Sequence, residues 1–146
     1  MIRKYRVLVI QGPNVNMLGD RETSIYGKET FESVNAQIEA RAKELGMHCE
    51  VFHSNVEGNI VSRIQKAKGE FDGIIINAGA YSHYSYAIRD AIAAVKIPTV
   101  EIHMSNPYQR EPFRRELVLA DVCAGQVCGF GKYSYFLALQ GLAEMF

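Results

Sequence analysis

The chain has 146 residues, enough for one domain with a proper core. Its 16 basic and 16 acidic residues cancel, which removes the basic excess expected of a nucleic-acid binder. No apolar run approaches the roughly 20 residues that span a bilayer, and the opening Met1-Ile-Arg-Lys-Tyr-Arg leads into too brief an apolar stretch for a secretory signal. Cys49, Cys123 and Cys128 form no CxxC pair. The expectation is therefore small buried thiols in a reducing cytoplasm, with no disulfide framework and no zinc site.

Tyr5–Ile10 reads as a strand, apolar enough to be covered on both faces. The sixteen residues from Gly12 to Gly27 then form a long connection, and loops of that length in a compact chain carry function or lack order. Gly12, Gly19 and Gly27 give it places to bend, and a mobile catalytic lid is expected over about residues 17–28. Thr30 can cap a helix whose apolar positions Phe31, Val34, Ile38, Ala42 and Leu45 make one stripe, stopped by Gly46. His48–His53 alternates as a second strand, and a helix follows around Ile60 to Lys68 with Ile60, Ile64 and Ala67 inward. Gly73–Asn77 is a buried strand, Ser85–Val95 a helix, and Thr99–His103 a strand introduced by Pro98. A polar segment, Ser105 to Glu116, precedes a fifth strand over Gly125–Gly131 and a closing helix from Tyr133 to Phe146.

Strands alternating with helices predict an α/β domain over residues 1–146 with a parallel sheet, right-handed crossovers and helices on both faces. Five strands point to the doubly wound, flavodoxin-like order 2-1-3-4-5, in which ligands bind beyond the carboxyl ends of strands one and three. The loops after strands one, three and four leave that same edge. They carry Asn14, Arg21 and Tyr26; Asn77, Gly79 and His83; and His103, Ser105, Arg110 and Arg114. Their convergence follows from topology, before any motif is matched.

No HExxH, aspartate pair or cysteine cluster suggests a metal. The glycines fit neither GxGxxG nor GxxxxGK[ST], and no Gly-x-Ser-x-Gly elbow is present. Acid–base work on an anionic substrate remains, with phenol and imidazole as proton carriers. A tyrosine serves as base near neutral pH only if its phenol ionises about three units below its free value of ~10, a shift worth roughly 4 kcal/mol. Guanidinium groups held against the oxygen, such as Arg21, Arg110 or Arg114, could supply it. The alternative for such a fold is a non-catalytic module binding a nucleotide or flavin at the same edge.

Four segments carry a resemblance. They are Gly12-Pro-Asn-Val-Asn-Met-Leu-Gly-Asp-Arg-Glu-Thr-Ser-Ile-Tyr-Gly27, Asn77-Ala-Gly-Ala-Tyr-Ser-His83, Arg89-Asp90, and Glu101-Ile-His-Met-Ser-Asn106 with Arg110-Glu-x-Phe-Arg114. In order and spacing they resemble the type II 3-dehydroquinate dehydratases over essentially the whole chain. That resemblance implies cofactor-free anti elimination of water from 3-dehydroquinate, giving 3-dehydroshikimate through an enolate. The implied setting is the shikimate pathway to aromatic amino acids, with breakdown of quinate as an alternative.

By the same resemblance Tyr26 is the base and Arg21 keeps it ionised. Asn14 positions a water at the enolate oxygen. His103 is the acid, supported by Glu101 and Asn77. The backbone of Met104 and Ser105 grips the substrate carboxylate, while Asn77, His83 and Arg114 meet hydroxyls. Asp90 reaches a neighbouring subunit's site, and trimers assemble into a dodecamer. Thr23, Gln11, Met104 and Pro112 depart from commoner family residues, and they bear on lid mobility more than on the reaction. Taken singly, each residue has a plainer reading: a loop tyrosine packs, a helix aspartate caps, and loop arginines are solvated. His48 and His53 are read as structural, and Tyr84 and Tyr86 as packing or subunit-interface residues.

Overall fold

A computed structural model describes residues 4–20, 24 and 28–146. Arg21, Thr23 and Tyr26, and with them the interior of the expected lid, lie outside the described residues. Five strands form one parallel sheet: β1 (Arg6–Gln11), β2 (His48–His53), β3 (Gly73–Asn77), β4 (Thr99–His103) and β5 (Gly125–Cys128). Their order is β2-β1-β3-β4-β5, as the alternation of elements predicts. Among the described residues four helices cross between or follow them: α1 (Phe31–Glu44), α2 (Glu57–Ala67), α3 (Tyr86–Val95) and α4 (Tyr133–Met145).

Successive strand residues point to opposite faces, so the sheet builds two cores. Val7 and Val9 of β1, Ile75 of β3 and Ile102 of β4 pack with Val34 and Ile38 of α1 and with Leu139 and Leu142 of α4. Leu8, Ile10, Ile74 and Ile76 turn the other way, onto Ile60 and Ile64 of α2 and Ile88 and Ile92 of α3. Each fully buried aliphatic side chain contributes roughly 1.5–3 kcal/mol of transfer free energy. Among the described residues no helix is long and apolar enough to cross a membrane.

Helix starts follow local chemistry. The Thr30 hydroxyl accepts from the Ser33 amide at 3.1 Å, and the Ser85 hydroxyl accepts from the Ile88 amide at 3.1 Å. Each satisfies one of the unpaired donors of a first turn. Gly46, at φ 77, ends the run that begins with α1. Two boundaries differ from the sequence expectation by more than one residue. Helix α2 starts at Glu57, well before Ile60, because its N-cap Val56 has no side chain able to cap and so leaves no capping signal in the sequence. Strand β5 stops at Cys128 instead of Gly131: Gly129 (φ 94) and Gly131 (φ 58) turn the chain back, and their amides donate to the carbonyls of His103 and Met104 at 3.1 and 2.9 Å.

The loops after β1 and β3 are clasped together. The Gly12 amide donates to the Asn77 carbonyl at 2.8 Å, and a Cβ on Gly12 would lie 2.7 Å from the Ala78 carbonyl carbon. Gly79 sits at φ 59, where a Cβ would come within 2.9 Å of the Pro13 carbonyl oxygen. Glycine is required at both positions, by contact at the first and by contact and φ together at the second.

Candidate active site

A cavity of about 140 Å³ opens at the carboxyl edge of the sheet, where β1 and β3 lie side by side. Three loops wall it. The first gives Pro13, Asn14, Val15 and Leu18; the second gives Asn77, Gly79, Ala80 and His83. The third gives His103, Met104, Ser105, Pro107, Arg110 and Arg114. Nine side chains or backbones expected at the site therefore line one space, from segments far apart in the chain.

Glu101 and His103 are two apart on a strand and so share a face. Their side chains meet: His103 Nε2 lies 2.7 Å from Glu101 Oε2. Glu101 is fully buried, and its other oxygen accepts from Gln126 Nε2 at 3.3 Å, across the register pair that β4 and β5 make. A carboxylate only accepts, so it holds the Nε2 proton in place and leaves Nδ1 as the nitrogen for other chemistry. Glu101 itself does not line the cavity; it stands behind His103.

His83 stacks on His103, with ring centroids 6.4 Å apart and planes 18° from parallel. Its Nδ1 lies 2.8 Å from the Glu116 carbonyl oxygen, which makes Nδ1 the donor and Nε2 the acceptor of a neutral ring. Burial lowers the His83 pKa below the usual value, and the nearby His103 and Arg114 add to that. The site thus keeps a neutral imidazole beside one that carries a carboxylate partner.

Arg110 Nη1 donates to the Ser105 hydroxyl at 3.3 Å, and Arg114 Nε donates to Glu111 at 3.2 Å. The same Glu111 lies 3.9 Å from Arg110 Nε, so it ties the two guanidinium groups together at the rim. The Arg114 pairing holds the Glu111 carboxyl below its ordinary pKa. The amides of Met104 and Ser105, just past β4, have no acceptor among the described residues. Two such N–H groups beside two guanidinium groups favour a carboxylate or another anion. Asn14 takes a left-handed backbone (φ 68), with its amide donating to Asn55 Oδ1 at 3.0 Å. Asparagine tolerates that conformation better than most residues.

Several singled-out residues lie outside this cavity. Asp90, on α3, is exposed and does not line this chain's cavity. His48 and His53 do not line it either. The cysteines, expected as buried hydrophobes, are only half-buried; that is still enough to push the thiols of Cys49 and Cys123 up to about 12 and that of Cys128 to about 11. Two residues behind the cavity carry no single-residue signal: Gln11, at the end of β1, and Tyr135, on α4. The Tyr135 hydroxyl donates to Gln11 Oε1 at 2.6 Å and accepts from Asn77 Nδ2 at 2.8 Å. One pointer was available. Tyr135, Leu139 and Leu142 share a helical stripe, and a tyrosine on an apolar stripe needs a buried partner for its hydroxyl.

Comparison with known proteins gives consistent results. The sequence profile of the family described as Dehydroquinase class II matches residues 5–143. The 3-dehydroquinate dehydratase of Nitratiruptor sp. is 54% identical over 141 residues, covering 97% of this chain and 90% of its own. That of Campylobacter lari is 52% identical over the same length, covering 97% and 88%. Among solved structures, the type II dehydroquinase from Butyrivibrio crossotus superposes with a TM-score of 0.94 at 46% identity, over 95% of this chain and 97% of the other. The enzyme from Propionibacterium acnes gives 0.93 at 35% identity, over 99% of each.

Proposed function

The chain belongs to the class II dehydroquinase family, and from that premise we propose how its residues carry out the dehydration of 3-dehydroquinate to 3-dehydroshikimate. Tyr26, held as phenolate by Arg21, removes the C2 proton beside the ketone. The electron pair of that C–H bond moves onto the ketone oxygen as an enolate, which a water positioned by Asn14 stabilises. Donors aimed at the oxygen where charge develops supply much of the rate in such steps. The enolate then collapses, the C1–O bond breaks, and His103 gives the departing hydroxyl its proton so that it leaves as water. Glu101 steadies the ring through this cycle, and the proton on Tyr26 returns to solvent and so to His103.

Binding falls to the rest of the wall. The Met104 and Ser105 amides, with Arg110 nearby, take the carboxylate. Asn77, His83 and Arg114 take ring hydroxyls, and Gly79 keeps the second loop close enough to do so. No step calls for a cofactor or metal. The observation that carries this reading is the buried Glu101–His103 pair, whose imidazole opens into a cavity beside two guanidinium groups and two amides with no acceptor among the described residues.

We extend the proposal to a cytoplasmic enzyme of the shikimate pathway, built as trimers joined into a dodecamer, with Asp90 completing a neighbour's site. The exposed position of Asp90 outside its own cavity favours that sharing. The test is the rise in ultraviolet absorbance of the conjugated product when 3-dehydroquinate is added, with and without a chelator. Wild type should show it under both conditions. Tyr26→Phe and His103→Ala should each lose at least about 100-fold in kcat. Full activity in either variant removes that residue from its role.

A further inference from the structure

Behind the cavity wall lies a chain of four polar side chains from four different elements, three of them buried and the fourth, Asn35, half-buried. Asn35 of α1 accepts from Gln11 Nε2 at 3.0 Å, Gln11 of β1 accepts from Tyr135 at 2.6 Å, and Tyr135 of α4 accepts from Asn77 of β3 at 2.8 Å. Gln11 and Tyr135 are essentially without exposure, and Gln11 and Asn77 are register partners on adjacent strands. Only Asn77 reaches the cavity.

Such a chain could in principle run in either sense, because each carboxamide can turn over and a phenol can rotate its proton. One group breaks the symmetry. The Gly79 amide, which can only donate, points at Asn77 Oδ1 at 3.4 Å. In the reverse sense Asn77 would turn its NH₂ towards that amide, donor against donor. The phenol has one proton, and it is committed to Gln11. Burial raises the Tyr135 pKa to about 12, so the phenol stays neutral and keeps that proton. Asn77 must therefore donate to Tyr135, and what it can still offer the cavity is one N–H on a fixed side and the second lone pair of Oδ1.

We propose that Tyr135, anchored by Gln11, is a positioning residue that fixes which end of the Asn77 carboxamide faces each side of the site, and so sets the hydroxyl geometry that Asn77 recognises. The proposal rests on the reading of Asn77 as a substrate contact. An asparagine free to turn over would spend part of its time presenting the wrong polarity to a ring hydroxyl. Mismatched polarity between buried groups is more costly than a missing contact, because both partners are left unsatisfied.

The test is a double-mutant cycle read in kcat/KM for 3-dehydroquinate, with unfolding by urea followed in parallel. Tyr135→Phe keeps the ring and removes only the hydroxyl. It should lower kcat/KM by about tenfold, the size expected for one misdirected hydrogen bond. Asn77→Ala should lower it at least as far, and adding Tyr135→Phe to Asn77→Ala should cost nothing further. A role confined to packing would give Tyr135→Phe the same loss in both backgrounds, and that result overturns the inference. So does wild-type kcat/KM in Tyr135→Phe when Asn77→Ala is impaired. If Asn77→Ala is itself fully active, the reading of Asn77 falls first. Should Tyr135→Phe fail to fold, Gln11→Met carries the same test, since it removes the acceptor that commits the phenol proton and does not touch the cavity. It too should lose about tenfold alone and nothing on top of Asn77→Ala.

Discussion

A carboxylate with no exposure is tolerable only when its oxygens are satisfied, and Glu101 has one on His103 and the other on Gln126. The spacing Glu101-x-His103 at the end of a strand made that pair legible in the sequence, because alternation puts both side chains on one face. Gln11, Tyr135 and Asn77 were not legible together: their bonds span 58 and 124 positions, and no local pattern encodes such a meeting. His83 carries a consequence for pH. Its folded pKa lies below the usual 6.5, chiefly through burial, so between those two values the unfolded chain binds more protons than the folded one. Stability should therefore fall as pH drops below about 6.5 and level off beneath the folded value. His53, lowered by burial as well, acts in the same direction. Urea midpoints at several pH values should show this fall in wild type and a shallower one in His83→Gln. An imidazole NMR titration placing His83 above 6.5 would contradict it.

Among the elements, those with sharp local chemistry sat where the sequence put them. Strands β2, β3 and β4 match residue for residue: alternation after Gly46 marks β2, and apolar runs opened by Gly73 and by Pro98 mark β3 and β4. The segment after β4 resolves into short 3-10 turns at Pro107–Gln109 and Pro112–Arg115, each opened by a proline. Sequence showed that segment only as polar, because a single turn offers no period to read. The cap of α3 gives a quantitative expectation. Ser85 is buried, accepts from Ile88, and donates to Glu57 Oε2 at 2.5 Å, linking α3 to α2. Ser85→Ala should cost about 1–2 kcal/mol, the upper range for a cap. Thr30→Ala, at an exposed cap, should cost about 1 kcal/mol or less. Equal urea midpoints for the two variants would show that the Glu57 link contributes nothing.

For the whole molecule, the sheet order brings three loops to one edge, and that convergence was readable from strand count and alternation alone. What the alternation could not show is which surfaces meet other copies of the chain. Tyr84 and Tyr86 are exposed near the start of α3, close to Asp90 and to the Arg89–Asp121 ion pair. If Asp90 serves a neighbour, sites built from mixed subunits behave differently from sites built of one kind. Asp90→Ala and His103→Ala enzymes should each be impaired. Dissociated, mixed and reassembled, they should recover activity, because some sites then combine an intact His103 with an intact neighbouring Asp90. Light scattering should give the mass of a trimer or dodecamer for both. No recovery from a mixture that has demonstrably reassembled would confine Asp90 to its own subunit.

The bond from Tyr135 to Gln11 also has a meaning in time. A chain is made from its N-terminus, and β1 and β3 are available to pair before α4 exists. Gln11 is synthesised well before Tyr135, which stands 124 positions later, on α4. The walls of the cleft can therefore assemble while the amide between them still turns freely. Only when α4 docks does the nascent enzyme acquire a fixed polarity at Asn77. The docking of one helix and the fixing of selectivity at Asn77 become a single event.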